Sequence, residues 1–584
     1  MRLGAKWSVA LLCIAVALAT AAVSRWPLRS ATFEAQINRA ISPRLGLHVR
    51  RPASATFRLL PWPTIRVVGI ELVDAHDRSV LSAPAGRFPL SIASLIRGKV
   101  VPLGATLQSP TALIDLDAAP AVAEVRAVAH GRDEEPPAVW SHVKLHGGVL
   151  RVVSAARRFD TLIEGVDGTM DWPAADRPLR LALSGAWRDE TVRIEGQIDN
   201  PRDGLAGRST GLRMSVGGPP LALNVEGAWS GGVHGGFTGD VSADIRSVSA
   251  LKRLLGARPS PLLGADALSL EGKMQTSGSA VALSDSRLTF AGQTFEGALT
   301  LSLEGERNAL SGTLAADSLH IDPLLLQRLH FLDDGAGWST EPFGIAPPTD
   351  LNLDLRISAA HAEWRGHRIE DAAVSVMCVD GRLTAKLLEA TAYDGALQGA
   401  LTLSSGAAGL QAKISASAVD VDLGAALADF GWNAYRGRGG FEISLQGAGA
   451  TPAAFVASLA GSGALNLQAG VVEGVNIEEA IRRSQRRAID IPRDMATGQT
   501  TFSHAHAPFV VASGKATVAS AQADGPGAVV AIDGSADLVA RRLQAHLVAT
   551  QANAQGAPSA DGARLTIFIS GPWSAPEIVA MPGG

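Results

Sequence analysis

Three short strings in this 584-residue chain carry side chains able to do chemistry. Gly207-Arg208-Ser209-Thr210-Gly211 spells G-x-S-x-G, the pattern of a serine nucleophile held on a sharp strand-to-helix turn. It sits among Pro201, Asp203 and Gly204, and strand-like Leu212 to Val216 follows it, so it reads as a polar loop. His504 and His506 would share one face of a strand and offer a metal two imidazoles. No third Cys, His or carboxylate cluster adjoins them, and His142 with His146 reads the same way. Arg482, Arg483, Arg486 and Arg487 have the charge to meet anionic headgroups. With Glu478/Arg482 and Glu479/Arg483 at i, i+4, they read instead as a solvated helix face. There is no P-loop and no G-x-G-x-x-G after a strand. The expectation is a protein that is not an enzyme: no catalytic residue, no metal ligand and no cofactor is assigned.

The elements that would have to position a site are more informative. Lys and Arg total 52 against 56 Asp and Glu, a formal charge of −4, which leaves no positive field for nucleic acid. Cys13 lies in an apolar run and Cys378 stands alone, so no disulfide scaffold exists. Hydrophobic residues make up 46%, which sets the chain apart from disordered sequences. Only 5% are aromatic and 18% charged, beside 62 Gly, so short apolar strands packed by small side chains are expected.

Trp7 to Ser24 is an uncharged run between Arg2 and Lys6 on one side and Arg25 and Arg29 on the other. At 1.5 Å per residue it just crosses the ~30 Å hydrocarbon layer as a helix. Trp7, Leu11, Leu12, Ile14, Val16, Leu18 and Val23 would be its lipid-facing residues. The rival reading is a cleaved signal, since Ala19-Thr20-Ala21 is an A-x-A-like site. Either way the remainder is exported or membrane-tethered.

From Leu47 onward the apolar residues alternate with polar ones, the period of half-buried strands. One pattern keeps returning: apolar-x-apolar-x-Gly. It carries Leu181 and Leu183, Val192 and Ile194, Leu223 and Val225, Leu268 and Leu270, Leu301 and Leu303, Ile443 and Leu445, Val530 and Ile532, Ile567 and Ile569. Leu353 and Leu355 alternate likewise. Each unit reads as a strand that stops at a glycine able to turn. The spacing is irregular, so the expected fold is mainly β: a long antiparallel meander with one apolar face. That face can be covered by a second sheet, giving a sandwich or β-solenoid-like fold. Alternatively the sheet can curl into a taco-like β-groove whose lining of these residues, Val530 and Ile532 aside, meets lipid acyl chains.

Short helices punctuate the strands. Ser30 starts one with Phe33, Ile37 and Ile41 on a face. Others are Ser249 to Leu255, Asp322-Pro323 to Leu329, Leu423 to Phe430 capped by Asp422, one opened by Thr451-Pro452, and Glu478 to Arg487. Polar Arg132 to Pro137 and the Gly- and Pro-rich Asp333 to Pro348 read as linkers. The resulting division is 1–29 anchor, 30–131 N-terminal region, 132–332 middle β-repeat region and 333–584 C-terminal β region with short helices.

Two runs of motifs follow one another in a specific order. The N-terminal signature is the anchor, Leu47-His48-Val49, Phe57-Arg-Leu-Leu-Pro-Trp-Pro63, Ile65 to Leu72, Ser91 to Gly98 and Leu107 to Ile114. The C-terminal signature is Val379-Asp-Gly-Arg-Leu383, Tyr393-Asp-Gly-Ala-Leu397, Arg436 to Phe441, Leu459 to Leu465 and Gly470 to Asn476. In this motif order the chain resembles the AsmA family of the Gram-negative envelope, though where relatives often carry Thr-Gly-Arg before the first strand, this chain has Ser42-Pro-Arg-Leu-Gly46. The resemblance implies an inner-membrane anchor with the bulk of the chain in the periplasm. It also implies an apolar channel like that of chorein-type bridge-like lipid-transfer proteins, and a role in phospholipid supply to the outer membrane and its assembly. The partners it implies are membrane phospholipids and, further out, outer-membrane proteins.

Overall fold

The computed structural model describes residues 20, 23–28, 48–50, 54–73, 77–97, 100–115, 141–154, 159–173, 176–231, 235–255, 267–304, 307–321, 337–364, 366–429, 433–484, 498–553, 557–559, 562–573 and 576–583. Trp7, Leu11, Leu12, Ile14, Val16 and Leu18 lie outside the described residues, as do the expected helices at Ser30 and Asp322 and the linker at Arg132. Among the described residues no helix is long and apolar enough to cross a membrane.

The chain divides into two compact units, residues 1–259 with 263–290, and 260–262 with 291–584. The first unit opens with β1 (Trp26–Leu28), β2 (His48–Arg50), β3 (Ser54–Arg58), β4 (Thr64–Val73), β5 (Ser79–Pro89), α1 (Ile92–Ile96), β6 (Ala105–Gln108) and β7 (Thr111–Asp115). It continues with β8 (Val143–Ser154), β9 (Phe159–Asp171), β10 (Leu179–Trp187), β11 (Glu190–Ile198), α2 (Pro201–Leu205), β12 (Thr210–Gly217), β13 (Leu221–Ser230), β14 (Gly236–Ile245), α3 (Val248–Leu255), β15 (Leu268–Ser277) and β16 (Ala280–Phe290).

The second unit holds β17 (Gln293–Ser302), β18 (Asn308–His320), β19 (Leu351–Trp364), β20 (His367–Val379), β21 (Arg382–Ala392), β22 (Gly395–Gly406), β23 (Gly409–Asp422), α4 (Leu423–Asp429), β24 (Tyr435–Gly449), α5 (Pro452–Ser458) and β25 (Ala460–Glu473). It ends with α6 (Ile477–Ser484), β26 (Gln499–Phe502), β27 (His504–Ala512), β28 (Lys515–Asp524), β29 (Ala528–Asp537), β30 (Arg542–Gln551), β31 (Arg564–Pro572) and β32 (Glu577–Gly583).

Within each unit this is the expected meander: neighbours in sequence pair antiparallel from β8 to β16 and from β19 to β25. Tight turns set the register. Asp380-Gly381 (φ 52° and 73°) joins β20 to β21, and Ser513-Gly514 (φ 49° and 71°) joins β27 to β28. Two successive positive-φ residues make the turn whose twist matches the flanking strands. Among the departures from the meander are parallel pairings. β18 pairs parallel with β19, and β6 and β7 pair parallel with β8. A parallel pair needs a long crossover rather than a hairpin, and alternation gives no sign of it.

The repeated glycines do a different job from the one expected. Gly185, Gly196, Gly227, Gly272, Gly447 and Gly534 lie inside strands rather than at their ends. Gly227 stands opposite Gly239 on β14, and a Cβ on Gly227 would strike Thr238 O and come within 2.8 Å of the Phe237 ring. A Cβ on Gly447 would come within 3.0 Å of the Phe455 ring. The missing side chain leaves room for an aromatic to lie on the sheet. Gly447→Val should therefore displace Phe455 and loosen α5, at a cost of about 1–3 kcal/mol read from urea denaturation.

The helices are fixed by caps. Thr451 accepts from Ala454 N–H at 3.2 Å, with Pro452 in the first turn, and Asp422 accepts from Ala425 N–H at 3.0 Å, as expected. The cap of α6 is Asn476, which accepts from Glu479 N–H at 2.8 Å. On α6, Glu479 holds Arg483 at 2.6 Å and also pairs with Arg482. The segment read as a loop around Pro201 is the short helix α2, capped by Asn200.

Candidate functional site

The chemically suggestive strings do not assemble into sites. The G-x-S-x-G string follows helix α2 and runs into β12, the reverse of a strand-to-helix elbow, and Arg208 pairs with Asp203. His504 and His506 lie on β27 but have separate partners: Asp524 at 2.9 Å and Asn466 at 2.6 Å. His142 pairs with Asp171, and His146 lies 3.4 Å from Asp167. Among the described residues no group of three or more His, Cys, Asp or Glu side chains is placed to hold a metal.

One polar constellation escaped the sequence reading. Asp429, at the end of α4, takes Tyr393 Oη at 2.8 Å and lies 2.6 Å from His367 Nδ1. Burial, reinforced by the bond to Asp429, pushes the Tyr393 hydroxyl up to about 12, so it stays a neutral donor. The three groups tie α4 to the start of β20 and to the turn between β21 and β22. Cys378 is fully buried, and burial pushes its thiol up as well. A neutral, inaccessible thiol does not react. The folded protein should therefore show no maleimide modification at Cys378, with labelling appearing only in denaturant.

The extended feature is the apolar face. Directly opposed residues in a ladder point to the same side, so the registers trace rows. In the first unit one row runs Leu183, Ile194, Val216, Leu223, Ala243, Leu270, Leu288 from β10 to β16. All seven are half-buried. The neighbouring row on the other face is Ala182, Glu195, Ser215, Asn224, Ser242, Glu271, Arg287. In the second unit a row runs Leu299, Gly312, Leu355, Val376, Ala385, Leu401, Ile414, Leu445, Gly461, Val511. It is buried only at its two ends.

The other residues named from the sequence join these rows. Leu301 and Leu353 flank Leu310, Ile443 pairs with Ala416, and Leu268 pairs with Phe290. Leu181 and Val225 oppose Gly196 and Met214. Val192, Val225 and Ile567 are buried, and the remaining candidates are half-buried. Leu303 lies just past the end of β17.

Two concavities differ in character. In the first unit a cavity of about 880 Å³ opens over the charged face, with the pairs Arg213–Glu226 (2.8 Å) and Lys273–Asp285 (3.2 Å) among its walls. In the second unit a cavity of about 410 Å³ is walled almost entirely by apolar side chains, among them Leu465, Leu467, Val530, Ile532, Leu547, Ile567 and Ile569. Its roof is α6. Ile477, Ala480 and Ile481 (9%, 0% and 3% exposed) pack on Val530, Ala549, Leu565 and Ile567. The sequence reading reached Ile567 and Ile569 and a helix at Glu478 to Arg487, but not the packing of the one on the other. Ile477, Ala480 and Ile481 at i, i+3, i+4 were the available signal.

A hairpin sheet with one long apolar face, half open to solvent, and one charged face defines a class of β protein built around an extended apolar surface. Residues 333–520, about a third of the chain, match the model of the AsmA family. No curated protein and no solved structure matches the chain.

Proposed function

We propose that this is a membrane-anchored lipid-handling protein whose sheet curls into an apolar β-groove that shields phospholipid acyl chains. The observation that carries this reading is the burial of the apolar rows. A closed sandwich would bury them, whereas Leu183 to Leu288 and Gly312 to Gly461 are half-buried along their whole length. Covering such a face releases about 25 cal/mol per Å² of apolar area, and mobile alkyl chains fit a lining of Leu, Val, Ile and Ala. The cavity beneath α6 falls in the ~300–1,000 Å³ range of small-molecule sites. The match of residues 333–520 to the AsmA family model is consistent with a lipid- or outer-membrane-related role. In this reading the residues 7–24 hold the chain in the inner membrane, the bulk lies in the periplasm, and the cargo is phospholipid bound for the outer membrane. Native mass spectrometry after gentle detergent extraction tests it. Bound phospholipid is expected; none, beside a positive control lipid binder, overturns it.

A second reading rests on β32, whose described pairing is with β31 alone and whose Ile578, Val579 and Met581 are exposed. An apolar edge of this kind can take up a strand from an outer-membrane protein. Photocrosslinks from position 579 to protein without lipid adducts would favour it.

A further inference from the structure

The first unit carries an exposed apolar collar at one end of its N-terminal strands. Thr64 pairs with Pro89 and Ala105 with Val143, so the 59–63 turn, α1 and the segment 100–103 gather at that end. Backbone bonds bind them together: Leu90 N to Pro63 O at 2.8 Å, Ser91 N to Val101 O at 2.9 Å and Leu103 N to Pro89 O at 2.7 Å. The collar exposes large apolar side chains that a water-facing turn would not carry: Leu60 (42%), Trp62 (67%), Ile92 (47%), Ile96 (82%) and Leu103 (53%).

Two further observations choose its occupant. β1 pairs with β3 so that Trp26 lies opposite Phe57, which brings the chain into the sheet at this same end. Trp26 is 53% exposed, and just before it Ser24 N–H donates to Thr20 O at 2.9 Å, a helical turn. The uncharged run Trp7 to Ser24 therefore ends beside the collar. The segments 59–63 and 91–103 contain no Asp or Glu, while Arg25, Arg58 and Arg97 stand nearby. Tryptophans with basic neighbours are the residues that settle at headgroup level.

We propose that this collar rests in the headgroup region of a lipid bilayer, beside the point where the N-terminal run leaves it, an inference that rests on that run being a membrane anchor. The collar then fixes the first unit at the membrane surface rather than leaving it on a free tether.

Spin labels test this in the full chain carrying Cys13→Ser, reconstituted into vesicles of phosphatidylethanolamine and phosphatidylglycerol. Labels go at Trp62→Cys, Ile96→Cys and, as control, Leu162→Cys. Leu162 is exposed on β9, eight residues or about 26 Å along the strand from Met170 at the collar end. The labels at 62 and 96 should show a severalfold higher ratio of oxygen to nickel-chelate collisions than the label at 162. Labels at 62 and 96 as aqueous as the control, on a chain that floats with the vesicles, overturn the collar alone. Labels screened from both reagents also overturn it, since protein then covers the patch. A chain that does not float overturns the anchor, and the collar's occupant with it.

Discussion

Leu270→Glu and Leu445→Glu will leave the chain folded and strip it of phospholipid. Both residues are half-buried in the apolar rows, Leu270 between Ala243 and Leu288, Leu445 between Ile414 and Gly461. At a half-open site a carboxylate reaches water, so the cost to folding stays near 1 kcal/mol. An acyl chain laid over the same carboxylate would have to desolvate it, at a cost of several kcal/mol. Tenfold in occupancy corresponds to about 1.4 kcal/mol, so bound lipid should fall at least tenfold while circular dichroism stays unchanged. A variant that unfolds instead points to a closed core, and one that keeps its lipid removes the groove.

Ile481→Asp will act in the opposite sense, on stability first. Ile481 is 3% exposed and its neighbour Ala480 fully buried, against Ala549 and Leu565, which are fully buried too. A carboxylate there has no water and no partner. The expected loss is about 3–5 kcal/mol, read as a lowered urea midpoint. Amide exchange should show α6 unprotected while β20 to β23 remain slow to exchange. An unchanged midpoint would mean that α6 does not depend on its packing over the cavity.

Much of the sheet was readable because a hairpin strand with one wet face writes its orientation into every second residue. Leu223 to Val225 and Leu268 to Leu270 sit on one face as alternation requires, and Thr451 and Asp422 cap the helices they were expected to cap. The failures share a cause: the missing information lay in another part of the chain. Gly227 and Gly447 look like turn residues until Phe237 and Phe455 are seen lying against them. The parallel pairing of β18 with β19 depends on a long crossover whose path alternation does not encode. For the site, the lining residues were legible one strand at a time. Their assembly under α6 was not, although Asn476 followed three residues later by Glu479 is a start signal that sequence could have supplied. Tyr393, Asp429 and His367 met only through tertiary placement.

The parallel crossover has a kinetic consequence. Hairpins joined by two-residue turns close in about 1–10 μs, and a fold made of them has low contact order. The pairs from β19 to β23 can therefore zip as soon as their residues are free. β18 must wait until the chain has passed through about thirty further residues to reach β19, a loop whose closing entropy is met before any contact rewards it. Pulsed hydrogen exchange during refolding should find the β20 to β23 amides protected before those shared by β18 and β19. The order in which the second unit's strands join is then set from within, at that seam, and not by which end of the chain is made first.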